Sequence, residues 1–291
     1  MENAFKKYKV LPFVLILPAI TLILVFKIYP ILKTLIDVFV VNSRFSLSTY
    51  SVLFQDPTFW NSLWVTLKIN LVMIPLQILI SLLLALAVNV DIKGIGVFRT
   101  IFYLPVTISL TVAVLLWNLM MNPNGGVLNS IFSVFGIPAQ TFLMDRKQAL
   151  WCIVIIATWK GVGYWMMFLL AGLKGIDTSI YEAARIDGAN YWRIVRSITI
   201  PLIKPVLLFV LVANTTANLL LFIPMQMVTK GGPEGSTDVL MYEAYKSSFM
   251  FINPERSAAL VTILLVIIVL ICVVQFRFMS DHDSDSIMGG N

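Results

Sequence analysis

Residues 61–88 read NSLWVTLKINLVMIPLQILISLLLALAV, with one basic residue, Lys68, and no acidic one. A soluble helix this long would show a charged face opposite an apolar stripe; this block has a single charge and no charged face. About 20 such residues cross a hydrocarbon layer of about 30 Å as a helix. Inside that layer the backbone must satisfy its own hydrogen bonds, which selects helices over open strands. The block is therefore read as a membrane span, and it sets the fold class.

Similar blocks recur at about 10–30, 98–121, 149–173, 201–225 and 257–279. The expected fold is an all-α integral membrane protein with six transmembrane helices. Composition agrees: 59% of the 291 residues are hydrophobic and 12% charged, against roughly 45–50% and 25% in soluble domains. Soluble-enzyme and nucleic-acid-binding readings fall, despite the net charge of +6. The two cysteines, Cys152 and Cys272, lie inside apolar blocks and read as packing residues. Lys6-Lys7-Tyr8-Lys9 before the first block imitates a signal peptide, but the run continues to about Tyr29 without a small-residue cleavage site, so a retained first span is expected.

Six spans put both termini on one side. With the amino terminus inside, the inner segments hold Lys6, Lys7, Lys9, Lys93, Arg99, Lys174, Arg185, Arg193, Arg196, Lys204 and Arg277. The outer ones hold Lys33, Arg44, Arg146, Lys147, Lys230, Lys246 and Arg256, a bias of 11 to 7. Basic residues favour the cytoplasmic side, so both termini are expected in the cytoplasm. The organisation is then an N-terminal tail, first span and outer loop over 1–60, a transmembrane core over 61–279, and an acidic cytoplasmic tail over 280–291. His282 sits in that tail among Asp281, Asp283 and Asp285. A solvated, disordered segment is favoured there over a metal site, and no metal is expected.

The longest inner connection, 174–204, contains SIYEAARIDGANYWRIVRSITIP at 179–201. Ser179 with Glu182 three residues on is a capping-box pattern, predicting a helix from about Ile180. Gly188 can end it in the left-handed conformation, and Asn190 can cap the next helix. Pro201 and Pro205 suit the first turns of the fifth span. Glu182, Arg185, Asp187, Arg193 and Arg196 surround Tyr181, Ala183, Ala184, Ile186 and Trp192. On physics alone this suits a docking surface for another protein and, equally, an amphipathic helix in the lipid headgroup layer.

Glu182-Ala183-Ala184, with Gly188 six positions after the glutamate and Ile198 with Ile200-Pro201, resembles the EAA motif of permease subunits in binding-protein-dependent ABC importers. The wider string, Tyr181-Glu182-Ala183-Ala184 then Ile186-Asp187-Gly188-Ala189, is similar to the sugar-permease branch. Val195 stands where that family often has phenylalanine and Ile200 where it often has leucine; both stay apolar. Phe59-Trp60-Asn61-Ser62-Leu63, Arg99-Thr100 with Leu104-Pro105, Trp117 with Asn122-Pro123 and Gly126, and Gly231-Gly232-Pro233 with Thr237 and Tyr242 extend the resemblance over about 10–279.

The resemblance implies a type I importer permease fold and a division of labour: two permease subunits form the path, two ATPase subunits bind below, and an extracytoplasmic binding protein delivers solute. It implies that Glu182, Ala183, Ala184, Asp187, Gly188, Ala189 and Pro201 couple this chain to the ATPase. It further implies a heterodimer with a second permease, in a bacterial or archaeal plasma membrane. The chain has no G-x-x-x-x-G-K-[ST] run, the phosphate cradle of P-loop enzymes. ATP and magnesium are therefore expected on the partner, with no catalytic residues and no cofactor here. Lys160-Gly161-Val162-Gly163 matches neither a P-loop nor a dinucleotide fingerprint.

Polar side chains in spans are costly unless they face protein or water. Thr66, Asn70 and Gln77 share one face of the second block; Asn214, Thr215 and Asn218 cluster in the fifth. They are candidates for a path that recognises sugar hydroxyls, and equally for hydrogen bonds between helices. Lys160, in the fourth block, is open between pairing with an acid and snorkelling to an interface. Trp60 and Trp64 read as interface anchors. The expected solute is a sugar, oligosaccharide or polyol. The competing readings are a permease for another solute, such as glycerol 3-phosphate, and a membrane scaffold or sensor.

Overall fold

The structure, a computed structural model, describes residues 11–41 and 44–288, with the side chains of 11–14, 37, 40–41, 44–45 and 280–288 left aside. Lys6, Lys7 and Lys9 and residues 289–291 lie outside the described residues. Among the described residues, four helices are long and apolar enough to span a membrane, and two bent helix pairs bring the number to six. The chain is a multi-pass membrane protein of helices. Beside them lies an antiparallel ladder pairing Val40 with Phe45 and Val41 with Arg44.

The chain divides into two compact units. The first comprises the chain up to Asp56 together with Ala244–Thr262. It holds α1 (Leu11–Ile23), a π-helical turn (Leu24–Ile28), α2 (Tyr29–Asp37), β1 (Val40–Val41), β2 (Arg44–Phe45) and α3 (Ser48–Gln55). The apolar stretch Leu15–Ile36 has none of its most apolar window buried by the rest of the chain. Arg256 closes this unit, meeting Asp56 at 2.5 Å and donating from Nε to Ser247 Oγ at 3.2 Å.

The second unit, Pro57–Glu243 with Ile263 onward, carries the core. It begins with α4 (Pro57–Val88), α5 (Ile95–Thr107), α6 (Leu110–Met120), α7 (Val127–Val134) and α8 (Ala149–Lys174). Then come α9 (Thr178–Ile186), α10 (Tyr191–Ile194), a π-helical turn (Val195–Thr199), α11 (Ile200–Leu202) and α12 (Lys204–Leu219). Two further helices, α13 (Leu240–Phe249) and α14 (Pro254–Met288), complete the chain. Ala85 and Val88 of α4, Met166, Leu169, Leu170 and Leu173 of α8, and Ile203 and Val210 beside and within α12 form a buried cluster. Lipid tails are as apolar as leucine, so such contacts stabilise by close packing more than by escape from water. Glycine permits that closeness: a Cβ on Gly163 would stand 2.1 Å from Phe102 O, and one on Gly172 would stand 3.0 Å from Val206 Cγ2.

Three expectations need correction. The third block, read as one helix over 98–121, is α5 and α6 meeting at 97°. Pro105 removes an amide from α5, and Ser109 caps α6 by accepting from Val112 N at 3.3 Å. The fifth block starts ten residues early and bends by 72° between Tyr191–Leu202 and Lys204–Leu219. Ile203, at φ −88° and ψ 3°, is the elbow, and Pro205 opens the new helix. Finally, residues 280–288, read as a disordered tail, continue the α14 backbone helix. Extending a formed helix costs far less than starting one.

Candidate functional site

Span four, α8, ends at Lys174, and after three intervening residues a second helix begins. Its N-cap is Asp177, which accepts from Ser179 N at 2.9 Å, so α9 starts two residues before the position that the Ser179–Glu182 pattern predicts. The aspartate precedes the serine and accepts from the Ser179 amide, the one that the Glu182 side chain would take in a capping box. That hydrogen bond holds the exposed Asp177 carboxyl below its ordinary pKa.

The end of α9 follows the sequence reading. Gly188 N donates to Arg185 O and Ala189 N to Ala184 O, both at 3.0 Å, with Gly188 at φ +77°. This pair of bonds is a Schellman closure, which requires the left-handed residue. Asn190 then caps α10, accepting from Arg193 N at 2.9 Å. Thr199 Oγ1 donates weakly toward Tyr181 OH at 3.4 Å, tying α9 back to the helix after it. Helix, sharp turn and helix are thus joined on one side to α8 and on the other, through the bend at Ile203, to α12.

The motif residues divide by exposure. Ala184 is 7% exposed and packs inward; Glu182, Ala183, Asp187 and Gly188 face outward, Ala189 is half-buried, and Pro201 is exposed. Around them stand large unburied apolar groups, Ile186 at 86% and Trp192 at 69%. Nothing lies within 4 Å of a Cβ built on Gly188, so its surroundings in this chain are open. Two cavities flank α9: one of about 440 Å³ lined by Asp91, Lys174, Glu182 and Arg185, the other of about 470 Å³ lined by Tyr181, Ala189 and Tyr191. Asn89, from the connection after α4, lines both. That connection is anchored by Arg99, which donates to Val88 O at 2.7 Å through Nη2 and at 3.3 Å through Nε. In the sequence Arg99 reads as an inner basic residue and as part of the family resemblance, not as a cap; a cation one turn into a helix, after a short connection, is the signal for such a cap.

The six polar span residues are all buried. Gln77 Oε1 accepts from Asn214 Nδ2 at 2.6 Å and Asn218 Nδ2 at 2.9 Å, and Asn218 Nδ2 also reaches Asn214 Oδ1 at 3.0 Å. Thr66 Oγ1 accepts from Leu240 N at 2.8 Å, and Thr215 Oγ1 accepts from Gln275 Nε2 at 2.7 Å. Asn70 Nδ2 donates to Thr66 O, while Asn70 Oδ1 is buried without a hydrogen-bond partner. Asn70 lines a largely apolar cavity of about 590 Å³ between α4, α12 and α14, with Trp64, Lys68, Leu211 and Gln275.

The sequence profile of the family described as "Binding-protein-dependent transport system inner membrane component" matches residues 9–282. The sn-glycerol-3-phosphate transport system permease protein UgpA of Agrobacterium fabrum is 35% identical over 286 residues, 96% of this chain and 97% of that one. The lactose transport system permease protein LacF of Rhizobium radiobacter is 36% identical over 279 residues, 92% of this chain and 93% of the other. Among solved structures, a chain of a bacterial alginate ABC transporter, in complex with an alginate pentasaccharide-bound periplasmic protein, superposes with a TM-score of 0.85. It covers 96% of each chain at 23% identity, a likeness of fold alone.

Proposed function

Since the chain belongs to the family of binding-protein-dependent transport system inner membrane components, we propose that it is the transmembrane permease subunit of an ATP-driven importer, coupled to a separate ATPase through α9–α11. The observation that carries this is the exposed helix-turn-helix, joined by short connections to α8 and α12 and presenting Glu182, Ala183, Asp187 and Gly188 outward. An amphipathic helix in the headgroup layer needs no Schellman turn and no bare glycine at its tip. A seat in a protein cleft needs both: a fixed angle between the helices and room for close approach.

ATP and magnesium belong on the partner, and this chain binds, positions and moves. A second, different permease subunit completes the path. Both termini lie in the cytoplasm of a bacterial or archaeal cell, with the outer loops facing an extracytoplasmic binding protein. The solute is a sugar, oligosaccharide or polyol, supported by the lactose relative. A phosphorylated polyol is the second reading, favoured by the glycerol-3-phosphate relatives. Asn70, which lines a cavity and has a buried carbonyl oxygen without a hydrogen-bond partner, is the one of the six polar residues we place nearest the path. The amide cluster holds α4 to α12.

Affinity purification of the tagged chain tests the reading. An ATPase subunit and a second permease should co-purify, and a thermal-shift screen of the cognate binding protein against sugars, polyols and phosphorylated polyols should name the solute. A chain that purifies without an ATPase, in cells that take up the solute normally, would contradict it.

A further inference from the structure

The break in the third span poses a problem that the structure answers. Where α5 stops at Thr107, its last carbonyls lose their amide partners. Within a membrane such groups are tolerated only if protein satisfies them. Leu104 O accepts from Thr107 Oγ1 at 2.8 Å, and Val106 O accepts from the ammonium of Lys160 at 3.0 Å. Lys160 therefore does neither of the things its sequence position suggests; its described hydrogen bond goes to a backbone carbonyl of the broken helix. A cation suits that place because the C-terminal end of a helix carries partial negative charge.

The neighbours of Lys160 on α8 grip both limbs of the break. Gly163 lies against Phe102 of α5 so closely that a Cβ there would meet the carbonyl. Trp159 stacks edge-on against Trp117 of α6, ring centroids 5.7 Å apart. Residues 159, 160 and 163 thus hold the upper limb, the elbow and the lower limb in turn, and α8 runs on through Gly175 and Asp177 into α9.

We propose that Lys160 is the positioning residue of this elbow: its ammonium terminates α5 within the membrane, holds the two limbs of span three at their angle on α8, and is required for solute transfer. The geometric part stands on the contacts above; the transport part rests on the permease reading.

The test uses the complete complex with its ATPase, second permease and binding protein. In a Cys152→Ala/Cys272→Ala background, spin labels at Phe98 and Leu119, both exposed, report the angle between the limbs. Lys160→Met, which keeps the stem and removes the charge, should shift that distance. It should also lower uptake about tenfold or more, as loss of one charge-assisted hydrogen bond implies. Basal ATP hydrolysis should stay near native, and Lys160→Arg should restore both distance and uptake. An unchanged distance, or an unchanged uptake, in Lys160→Met overturns the proposal. If that variant fails to insert, the map of the native complex decides: Lys160 Nζ at the carbonyl end of α5 supports the assignment, and Nζ on an acid or in the headgroup layer refutes it. A native complex that transports nothing would sink the permease reading, while the label distance still judges the elbow.

Discussion

Replacing Gly188 separates what the turn needs from what a partner needs. Inside this chain the glycine is required for its backbone angle alone, φ +77°, because nothing stands within 4 Å of a Cβ placed there. The left-handed conformation costs an ordinary L-residue about 1–2 kcal/mol, whereas asparagine, whose side chain can hydrogen-bond locally, tolerates it better. Gly188→Ala should therefore weaken the α9–α10 turn by about 1–2 kcal/mol, and Gly188→Asn by less. If an ATPase cleft closes over the glycine, the order reverses for transport. The larger amide then has to fit a packed contact, and overpacking of that kind costs about 1–3 kcal/mol, roughly 5- to 150-fold in an equilibrium. Gly188→Asp adds a charge beside Asp187 to the same bulk and should uncouple hydrolysis from transport in a protein that still inserts. Thermal unfolding of the purified chain should rank Ala below Asn; uptake into proteoliposomes, measured together with ATP hydrolysis, should rank Asn and Asp below Ala. Normal uptake by the Asn and Asp variants would refute the idea that this surface is covered by the motor.

Three further outcomes follow from the same geometry. Gln77→Leu leaves the amides of Asn214 and Asn218 without their shared acceptor, which should cost about 1–3 kcal/mol; a double-mutant cycle with Asn214→Leu should return about 0.6 kcal/mol or more of coupling, and zero coupling would show that the cluster does not join α4 to α12. Gly163→Ala puts a methyl 2.1 Å from Phe102 O, so α5 must move off α8 at about 1–3 kcal/mol; a variant with native thermal stability would contradict the packing. Asp177 has a lowered pKa through its bond to Ser179 N, so its cap is fully present above the ordinary carboxylate value and is lost as pH falls through the lowered one. Exchange of the Ser179 amide should quicken only in that acid range, and Asp177→Asn, which caps without a charge, should abolish the dependence.

How far the sequence carries depends on whether a feature is averaged or local. The six apolar blocks are averages over about 20 residues, which single exceptions do not disturb, and all six appear as helical segments. The elbows at Ser109 and Ile203 are local events inside apolar runs; Pro105, Ser109 and Pro205 were visible, but a hydropathy average dilutes them. At α9 the capping-box pattern points to Ser179, but Asp177, two residues earlier and equally able to cap, takes the role. Gly188 and Asn190 were legible because each was the sole residue at its place suited to a left-handed or capping conformation. Gly163 and Lys160 were opaque for another reason. Their partners, Phe102 O and Val106 O, are backbone carbonyls of a distant helix, and no side-chain pattern announces a carbonyl.

ATP hydrolysis by the purified complex, reconstituted in lipid with and without solute-loaded binding protein, tests the central claim most directly. If α9–α11 couples this chain to a motor, loaded binding protein should raise hydrolysis in the native complex, and Gly188→Asp should leave basal hydrolysis but abolish the rise. A rise that persists in Gly188→Asp, or a native complex indifferent to loaded binding protein, would contradict the account.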